Sequence, residues 1–160
     1  MKVIAIDPGY DRLGIAVLEK KKNKKEILVY SECFQTDSKI EFNLRLGVIG
    51  KRVREIIEEY SPNYMAIETL FFSKNTKTAL KVSESRGVVI FQAVERDIPV
   101  YEFSPNQIKV AVTGYGNANK KDVYTLTTRL IDLGDGIKID DEIDAIATGL
   151  TFFAINPQRY

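Results

Sequence analysis

Three short apolar runs open the sequence, and polar or Pro-Gly turns separate them. The runs lie at 3–7, 14–19 and 27–34, and the second turn is the lysine-rich stretch "KKKNKK" at 20–25. Connections this short join neighbouring strands that run in opposite directions. The beginning of the chain is therefore predicted to form an antiparallel meander of three strands.

Helical repeats and further apolar runs alternate in the rest of the sequence. Between Asn43 and Tyr60, apolar positions recur at helical spacing, and a proline follows shortly afterwards. The other predicted elements are a strand at 64–68, a helix from about Thr76 to Arg96, a strand at 99–103, a helix entered through Ser104 and Pro105, and two closing helices, the last beginning near Asp140. This order predicts an α/β fold in which helices cover both faces of a mixed five-stranded sheet, within one domain spanning 1–160.

The composition is that of an ordinary globular domain. The 160 residues are 44% hydrophobic and 28% charged. Met1 and Lys2 lead directly into the first strand, and no apolar run is long enough to cross a bilayer, so we expect a cytoplasmic protein. Cys33 is the only cysteine. It excludes an internal disulfide, and we expect it to be a packed apolar thiol.

The sequence contains no histidine. Histidine is the commonest general base and the commonest ligand of transition metals in proteins. Its absence excludes Ser-His-Asp and Cys-His mechanisms. Any hydrolytic chemistry must therefore use carboxylates, lysines or a bound metal ion.

Two predicted strands end in a carboxylate, although acidic residues are rare in strands and costly to bury unpaired. "IAID" ends at Asp7 and "MAIE" ends at Glu68, and ligands of open α/β sheets gather at strand ends. Asp141 and Asp144, three residues apart, share one face of the last predicted helix. If all four converge, cations must separate them. Such oxygen ligands suit two Mg²⁺ or Mn²⁺ ions, which activate water in phosphodiester cleavage.

Each of these carboxylates also has a purely structural explanation. Asp-Pro-Gly is a common turn, and a charged residue such as Glu68 often marks the end of a strand. The cluster "DDEID" at 140–144 is favoured at a helix N-terminus through capping and the helix dipole. The metal-site hypothesis therefore depends on the combination of the four residues.

Four motifs along nearly the whole chain resemble the RuvC family of Holliday-junction resolvases, which have a ribonuclease-H-like fold. The motifs are "IDPGYDRLGIAV" at 6–17, "AIETLFFSKNTKTALKVSESRGV" at 66–88, "VYEFSPNQIKVAVTGYGNANK" at 100–120 and "DDEIDAIATGL" at 140–150. Other ribonuclease-H-like families share the first motif, whereas the second and third are distinctive.

The resemblance implies roles for individual residues. The metal-binding carboxylates of the family fall on Asp7, Glu68, Asp141 and Asp144, which implies a Mg²⁺ enzyme with two ions at each active site, for which Mn²⁺ can substitute. Asp140 is left as the helix cap. The aromatic residue that wedges open the junction falls on Phe71, for which core packing is the alternative. The lysines near the scissile phosphate fall on Lys109 and Lys120, for which a solvated surface position is the alternative.

The resemblance also implies a substrate and partners. RuvC-like enzymes act as symmetric homodimers that cut a four-way DNA junction at two related phosphodiesters, in partnership with a RuvA-RuvB type branch-migration complex. Lys74, Lys77, Lys81 and Arg86 follow Glu68 and are candidates for contacts to the DNA backbone. Without the four site carboxylates, 23 basic side chains stand against 18 acidic ones, so the near-zero net charge does not exclude a polyanion.

Two other functions remain open from the sequence. The first is a junction-binding protein that keeps the fold without catalysis, although all four carboxylates are present. The second is an ATPase related through the Asp-x-Gly turn of the first strand. The chain has no Gly-x-x-x-x-Gly-Lys-Ser/Thr motif, and "GYGNANK" has a different spacing.

Overall fold

The computed structural model describes residues 1–70, 76–134 and 139–156, and within these ranges the chain forms five strands and five helices. The strands are β1 Lys2–Asp7, β2 Arg12–Glu19, β3 Ile27–Gln35, β4 Tyr64–Glu68 and β5 Val100–Phe103. The helices are α1 Phe42–Tyr60, α2 Thr76–Val94, α3 Pro105–Thr113, α4 Lys120–Leu130 and α5 Asp140–Ile155.

The five strands form one mixed sheet in the order β3-β2-β1-β4-β5. The first three strands pair antiparallel, as the short turns predicted, and β1 pairs parallel with β4, which pairs parallel with β5. Ile6 lies opposite Ile67 in the parallel register of β1 and β4. These two central strands therefore end at the same edge of the sheet, one with Asp7 and the other with Glu68.

Helices cover both faces of the sheet, as predicted. Ile4 and Ile6 of β1 pack into a core with α1 and α2, whereas Val3 and Ala5 pack into a second core with α3, α4 and α5. All four side chains are fully buried. Because side chains alternate between the faces of a strand, Asp7 belongs to the face of Val3 and Ala5. The carboxylate at the end of β1 is therefore directed to the α5 side of the sheet.

Some element boundaries differ from the prediction. Helix α2 ends at Val94 rather than near Arg96, because a turn with a left-handed Asp97 (φ 56°) follows it. Strand β5 begins at Val100 rather than at Pro99. Proline has no N–H to donate to the ladder, although the carbonyl of Pro99 still accepts a hydrogen bond from Met65 N at 3.0 Å.

No helix within the described ranges is long and apolar enough to span a membrane.

Candidate active site

The carboxylates of Asp7 and Glu68 lie at the ends of adjacent parallel strands and on the same face of the sheet. Burial raises the pKa of Asp7 well above its usual range, and the negative charges of Glu68, Asp144 and Asp141 raise it further. Burial and the charge of Asp144 raise the pKa of Glu68 to about 7, although Lys109 and Lys120 act in the opposite direction. Mutual electrostatic influence of this kind shows that the strand ends and α5 bring acidic groups together.

Helix α5 supplies the other two predicted carboxylates, and Gly14 allows its first turn to approach the sheet. A Cβ atom on Gly14 would lie 2.0 Å from the carbonyl oxygen of Asp141 and 3.1 Å from Cβ of Asp7. Any larger residue would therefore push α5 away from the end of β1. Gly14 lies directly opposite Asp7 in the β1–β2 register, so this close approach is at the site itself.

Two basic side chains pair with the carboxylates of α5. Lys120 Nζ lies 3.2 Å from Asp144 Oδ2 and 3.6 Å from Asp140 Oδ2. Arg12 forms an ion pair with Asp141, to which Cys33 Sγ also donates a hydrogen bond at 3.5 Å. Burial raises the pKa of Asp144 even though the charge of Lys120 lowers it. The ion pairs thus offset only part of the cost of placing these acids together.

Lys109 and Lys120 both line a cleft of about 200 Å³ that also contains Glu68 and Asp144. Each lysine is placed by a capped helix. Ser104 Oγ accepts a hydrogen bond from Gln107 N at 3.2 Å at the start of α3, and Lys109 follows Gln107 by two residues. Asn119 Oδ1 accepts one from Asp122 N at 3.0 Å at the start of α4, immediately before Lys120. The structure therefore brings both predicted lysines to the carboxylates.

The donor set fits a hard divalent cation. Four carboxylates supply oxygen ligands of the type that Mg²⁺ and Mn²⁺ prefer, and the negative charges of its neighbours add to burial in raising the pKa of Asp7. Within the described ranges, however, no group of three or more acidic, Cys or His side chains encloses a metal position as it stands. Asp141 and Asp144 pair with Arg12 and Lys120 instead. These two acids could bind a cation only by exchanging those partners.

The residues predicted to contact DNA lie in different surroundings. Phe71 and Lys74 lie outside the described residues. Lys77 is exposed at the start of α2. Lys81 Nζ lies over the rings of Tyr10 and Phe42, at 5.4 and 5.2 Å from their centroids.

Arg86 is held by the protein rather than directed into solvent. Its Nε donates a hydrogen bond to the carbonyl of Glu68 at 3.1 Å, and its guanidinium pairs with Glu102. Only 16% of the side chain is exposed. Arg86 therefore links α2 to the ends of β4 and β5, and a contact to DNA stays a prediction for this residue.

Two expectations about individual residues were wrong, and one neighbour was missed. Asp140 is not the helix cap but the first residue of α5, because the chain enters the helix through an extended Ile139. Cys33 is partly exposed and donates a hydrogen bond to Asp141, so its thiol is not simply a packed apolar group. Arg12 was not predicted, although its place at the start of β2, directly after the turn that follows Asp7, was a usable signal.

Comparison with known proteins identifies the family of the chain. The family model described as crossover junction endodeoxyribonuclease RuvC matches residues 3–152. The crossover junction endodeoxyribonuclease RuvC of Thermosipho melanesiensis is 44% identical over 147 residues, which cover 92% of this chain and 93% of that protein.

Solved structures of RuvC proteins also align with this chain. The RuvC structure from Thermus thermophilus aligns with a TM-score of 0.85 at 33% identity and covers 97% of this chain and 96% of its own. The same protein in complex with a Holliday junction substrate aligns with a TM-score of 0.87 at 33% identity, over 94% of this chain and 92% of its own. The fold is therefore the ribonuclease-H-like fold of RuvC. By family model, by sequence identity and by fold, the chain belongs to the RuvC family of crossover junction endodeoxyribonucleases.

Proposed function

We propose that Asp7, Glu68, Asp141 and Asp144 form the metal-dependent centre with which this endonuclease cuts two symmetry-related phosphodiesters of a four-way DNA junction. The observation that carries the proposal is the electrostatic coupling of Asp7 with Glu68, Asp144 and Asp141 at one edge of the sheet. A cluster of acids that ion pairs compensate only in part is costly for the fold, and cations in a binding site offset the cost.

The cations that fit the site are two Mg²⁺ ions, with Mn²⁺ as a substitute. When bound, they supply an activated water and neutralise charge on the phosphate that is cut. The carboxylates of Asp7 and Glu68 project from the strand ends, and those of Asp141 and Asp144 from the first two turns of α5. Because the pKa of Glu68 is about 7, cation binding at neutral pH displaces protons from the site.

Lys109 and Lys120 bind the phosphate that is cut. Both line the cleft beside Glu68 and Asp144, so an ammonium group can approach a phosphate held next to the carboxylates. Lys120 has a second task, because it pairs with Asp144 until DNA and cations are present. Positive groups fixed near a reacting phosphate stabilise the charge that develops in the transition state.

Phe71 opens the base stack at the crossover, and Lys74, Lys77, Lys81 and Arg86 are the proposed contacts to the DNA backbone. The support for Lys77 is its exposure at the start of α2, and Lys81 projects from the same helix beside the loop that follows Asp7. The support for Phe71 and Lys74 is the family motif in the sequence.

The enzyme acts as a two-fold homodimer formed through α2. Leu80, Phe91 and Val94 are 57%, 57% and 59% exposed, and their spacing along the helix places them with Gly87 on one face. The opposite face of α2 carries Ser85 and the buried core. A two-fold dimer presents two equivalent sites to the two strands of a junction that must be cut at related positions.

The biological setting follows from the substrate. Because junctions arise in chromosomal DNA, we place the enzyme in the cytoplasm, where a RuvA-RuvB type branch-migration complex delivers the junction. The support for this partnership is the family relation, and no surface of the described residues identifies the contact.

The first experiment compares the purified protein with its Asp7→Asn variant on a mobile four-way junction and on a linear duplex of matching sequence. Mg²⁺ is present and ATP is absent. We expect paired symmetric incisions in the junction alone, with cleavage lost and junction binding retained in the variant. Tight binding without incision by the wild type would favour a binding scaffold. Unchanged cleavage by Asp7→Asn would overturn the metal assignment.

The dimer is tested by sedimentation of the Phe91→Glu variant. We expect a monomer, because a carboxylate would replace the central apolar group of the exposed α2 face. Leu130→Glu is the matched control, since Leu130 is also exposed but lies on α4. An unchanged dimer in Phe91→Glu, or equal dissociation in both variants, would contradict the proposed interface.

A further inference from the structure

The loop that follows Asp7, residues 8–11, is tied to α2 by a buried serine. Ser85 is fully buried, and its hydroxyl donates a hydrogen bond to the carbonyl of Gly9 at 2.8 Å. Gly9 is itself closely packed, because a Cβ atom there would lie 1.9 Å from the carbonyl oxygen of Arg12. The backbone two residues after Asp7 is thus held from outside the loop and constrained within it.

The next two carbonyls of the loop are held by Thr36, directly after β3, and by Arg45 of α1. Arg45 is 5% exposed, and it donates hydrogen bonds to the carbonyl of Tyr10 at 2.9 Å and to Thr36 Oγ1 at 2.8 Å. It also pairs with Asp11, and its guanidinium lies 5.2 Å from the centroid of the Tyr10 ring. Thr36 donates its hydroxyl to the Tyr10 carbonyl at 2.6 Å and its N–H to the Asp11 carbonyl at 3.0 Å.

Three consecutive carbonyls, those of Gly9, Tyr10 and Asp11, therefore accept hydrogen bonds from other elements. Surface loops are usually mobile, and a buried arginine is costly unless it is fully bonded. Strand pairing fixes the backbone before Asp7, and these bonds fix the backbone after it. Together they fix the backbone from which the Asp7 side chain projects, and with it the direction of the Cα–Cβ bond of Asp7.

We propose that Ser85 and Arg45 are positioning residues of the nuclease centre, which hold the 8–11 loop so that the Asp7 carboxylate stays where the cations bind. This inference rests on the proposed function of Asp7. Groups that orient a metal ligand without touching the metal typically change metal affinity or activity by about 10- to 100-fold when they are removed. Because Ser85 acts through the loop backbone, we expect an effect near the lower end, about 10-fold.

The test uses two alanine variants of the same helix. Ser85→Ala removes the buried hydroxyl, and Ser83→Ala removes an exposed one two residues away. Calorimetric titration with Mn²⁺ alone measures cation binding without DNA, and the Mn²⁺ dependence of junction cleavage measures its consequence. We expect Ser85→Ala to bind Mn²⁺ about 10-fold more weakly and to recover its cleavage rate at high Mn²⁺. Junction binding in EDTA should match that of Ser83→Ala.

Cation affinities within two-fold of each other in Ser85→Ala and Ser83→Ala would overturn the inference. If Ser85→Ala does not fold, Arg45→Lys and the exposed control Arg54→Lys decide by the same titrations, because lysine keeps the charge but cannot reach all the partners of Arg45. Asp7→Asn separates the two proposals. If it abolishes cleavage while Ser85→Ala and Arg45→Lys behave as their controls, only the positioning role fails. If it cleaves normally, the site assignment itself is wrong.

Discussion

Replacing Glu68 by Gln should make the cation-free protein more stable at alkaline pH while removing its nuclease activity. Glu68 lies at the end of β4, and burial together with the charge of Asp144 raises its pKa from an ordinary value of 4.5 to about 7. Between these two pH values the folded protein retains a proton that the unfolded chain has released. The free energy of unfolding therefore falls as the pH rises through this window.

The size of the effect follows from the two pKa values. The difference between 4.5 and about 7 corresponds to about 3 kcal/mol of destabilisation once the pH exceeds 7. Glutamine keeps the shape of the side chain without the charge. Glu68→Gln should consequently recover up to about 3 kcal/mol at pH 8 and almost nothing at pH 4.5. For a domain of this size, that gain raises the Tm by about 6–12 °C.

The assay is urea unfolding in EDTA at pH 5, 6.5 and 8, with Glu59→Gln as a control because Glu59 is exposed on α1. From pH 5 to pH 8, the free energy of unfolding of the wild type should fall relative to that of Glu68→Gln. The fall should follow the titration of a carboxylate with a pKa of about 7. A gain that is equal at all three pH values would show that shape rather than charge is responsible. No gain at pH 8 would refute the electrostatic description of the site.

Two further predictions concern the same centre. Lys109→Met and Lys120→Met should each slow single-turnover junction cleavage by roughly 100-fold with little change in junction binding. Lys51→Met is the control, because the Lys51 side chain is 68% exposed on α1. Normal cleavage rates in both variants would show that Lys109 and Lys120 are solvated surface residues. Gly14→Ala should reduce cleavage by about 100-fold or more, because a Cβ atom 2.0 Å from the Asp141 carbonyl forces α5 away by about an ångström. A crystal structure of this variant with an unmoved α5 would contradict that explanation.

Much of the fold follows from local patterns in the sequence. The parallel alignment of β1 and β4 placed Asp7 and Glu68 at one edge, and strand alternation placed Asp7 on the face covered by α5. Both features depend on period and element order, which the sequence displays directly. The sequence placed Lys120 near the scissile phosphate only through the family motif, and its ion pair with Asp144 was not predicted, because nothing local to α4 indicates that it packs near the start of α5.

Contacts between distant elements could not be predicted. Arg12 and Cys33 both reach Asp141, and Ser85 reaches the carbonyl of Gly9, across sequence separations that no periodicity encodes. A buried serine in a helix and an arginine after a turn are common, and only the packed structure shows their partners. The prediction of Asp140 as the cap of α5 was wrong for a related reason. An acidic run at a helix start offers several candidates, and the backbone direction at Ile139 decides among them.

The two pairs of carboxylates meet the same electrostatic problem in different ways. Asp141 and Asp144 lie at the start of a helix that faces basic side chains. Asp141 pairs with Arg12, and Asp144 pairs with Lys120. Asp7 and Glu68 lie at strand ends, and no ion pair reaches either of them from the described residues. Burial raises the pKa values of both, and the negative charges of neighbouring carboxylates raise them further. In the proposed metal centre, a divalent cation would compete with the proton of Glu68 and with the basic partners of Asp141 and Asp144. We therefore expect the cation affinity to depend on pH through Glu68 and on the exchange of ion-pair partners on α5.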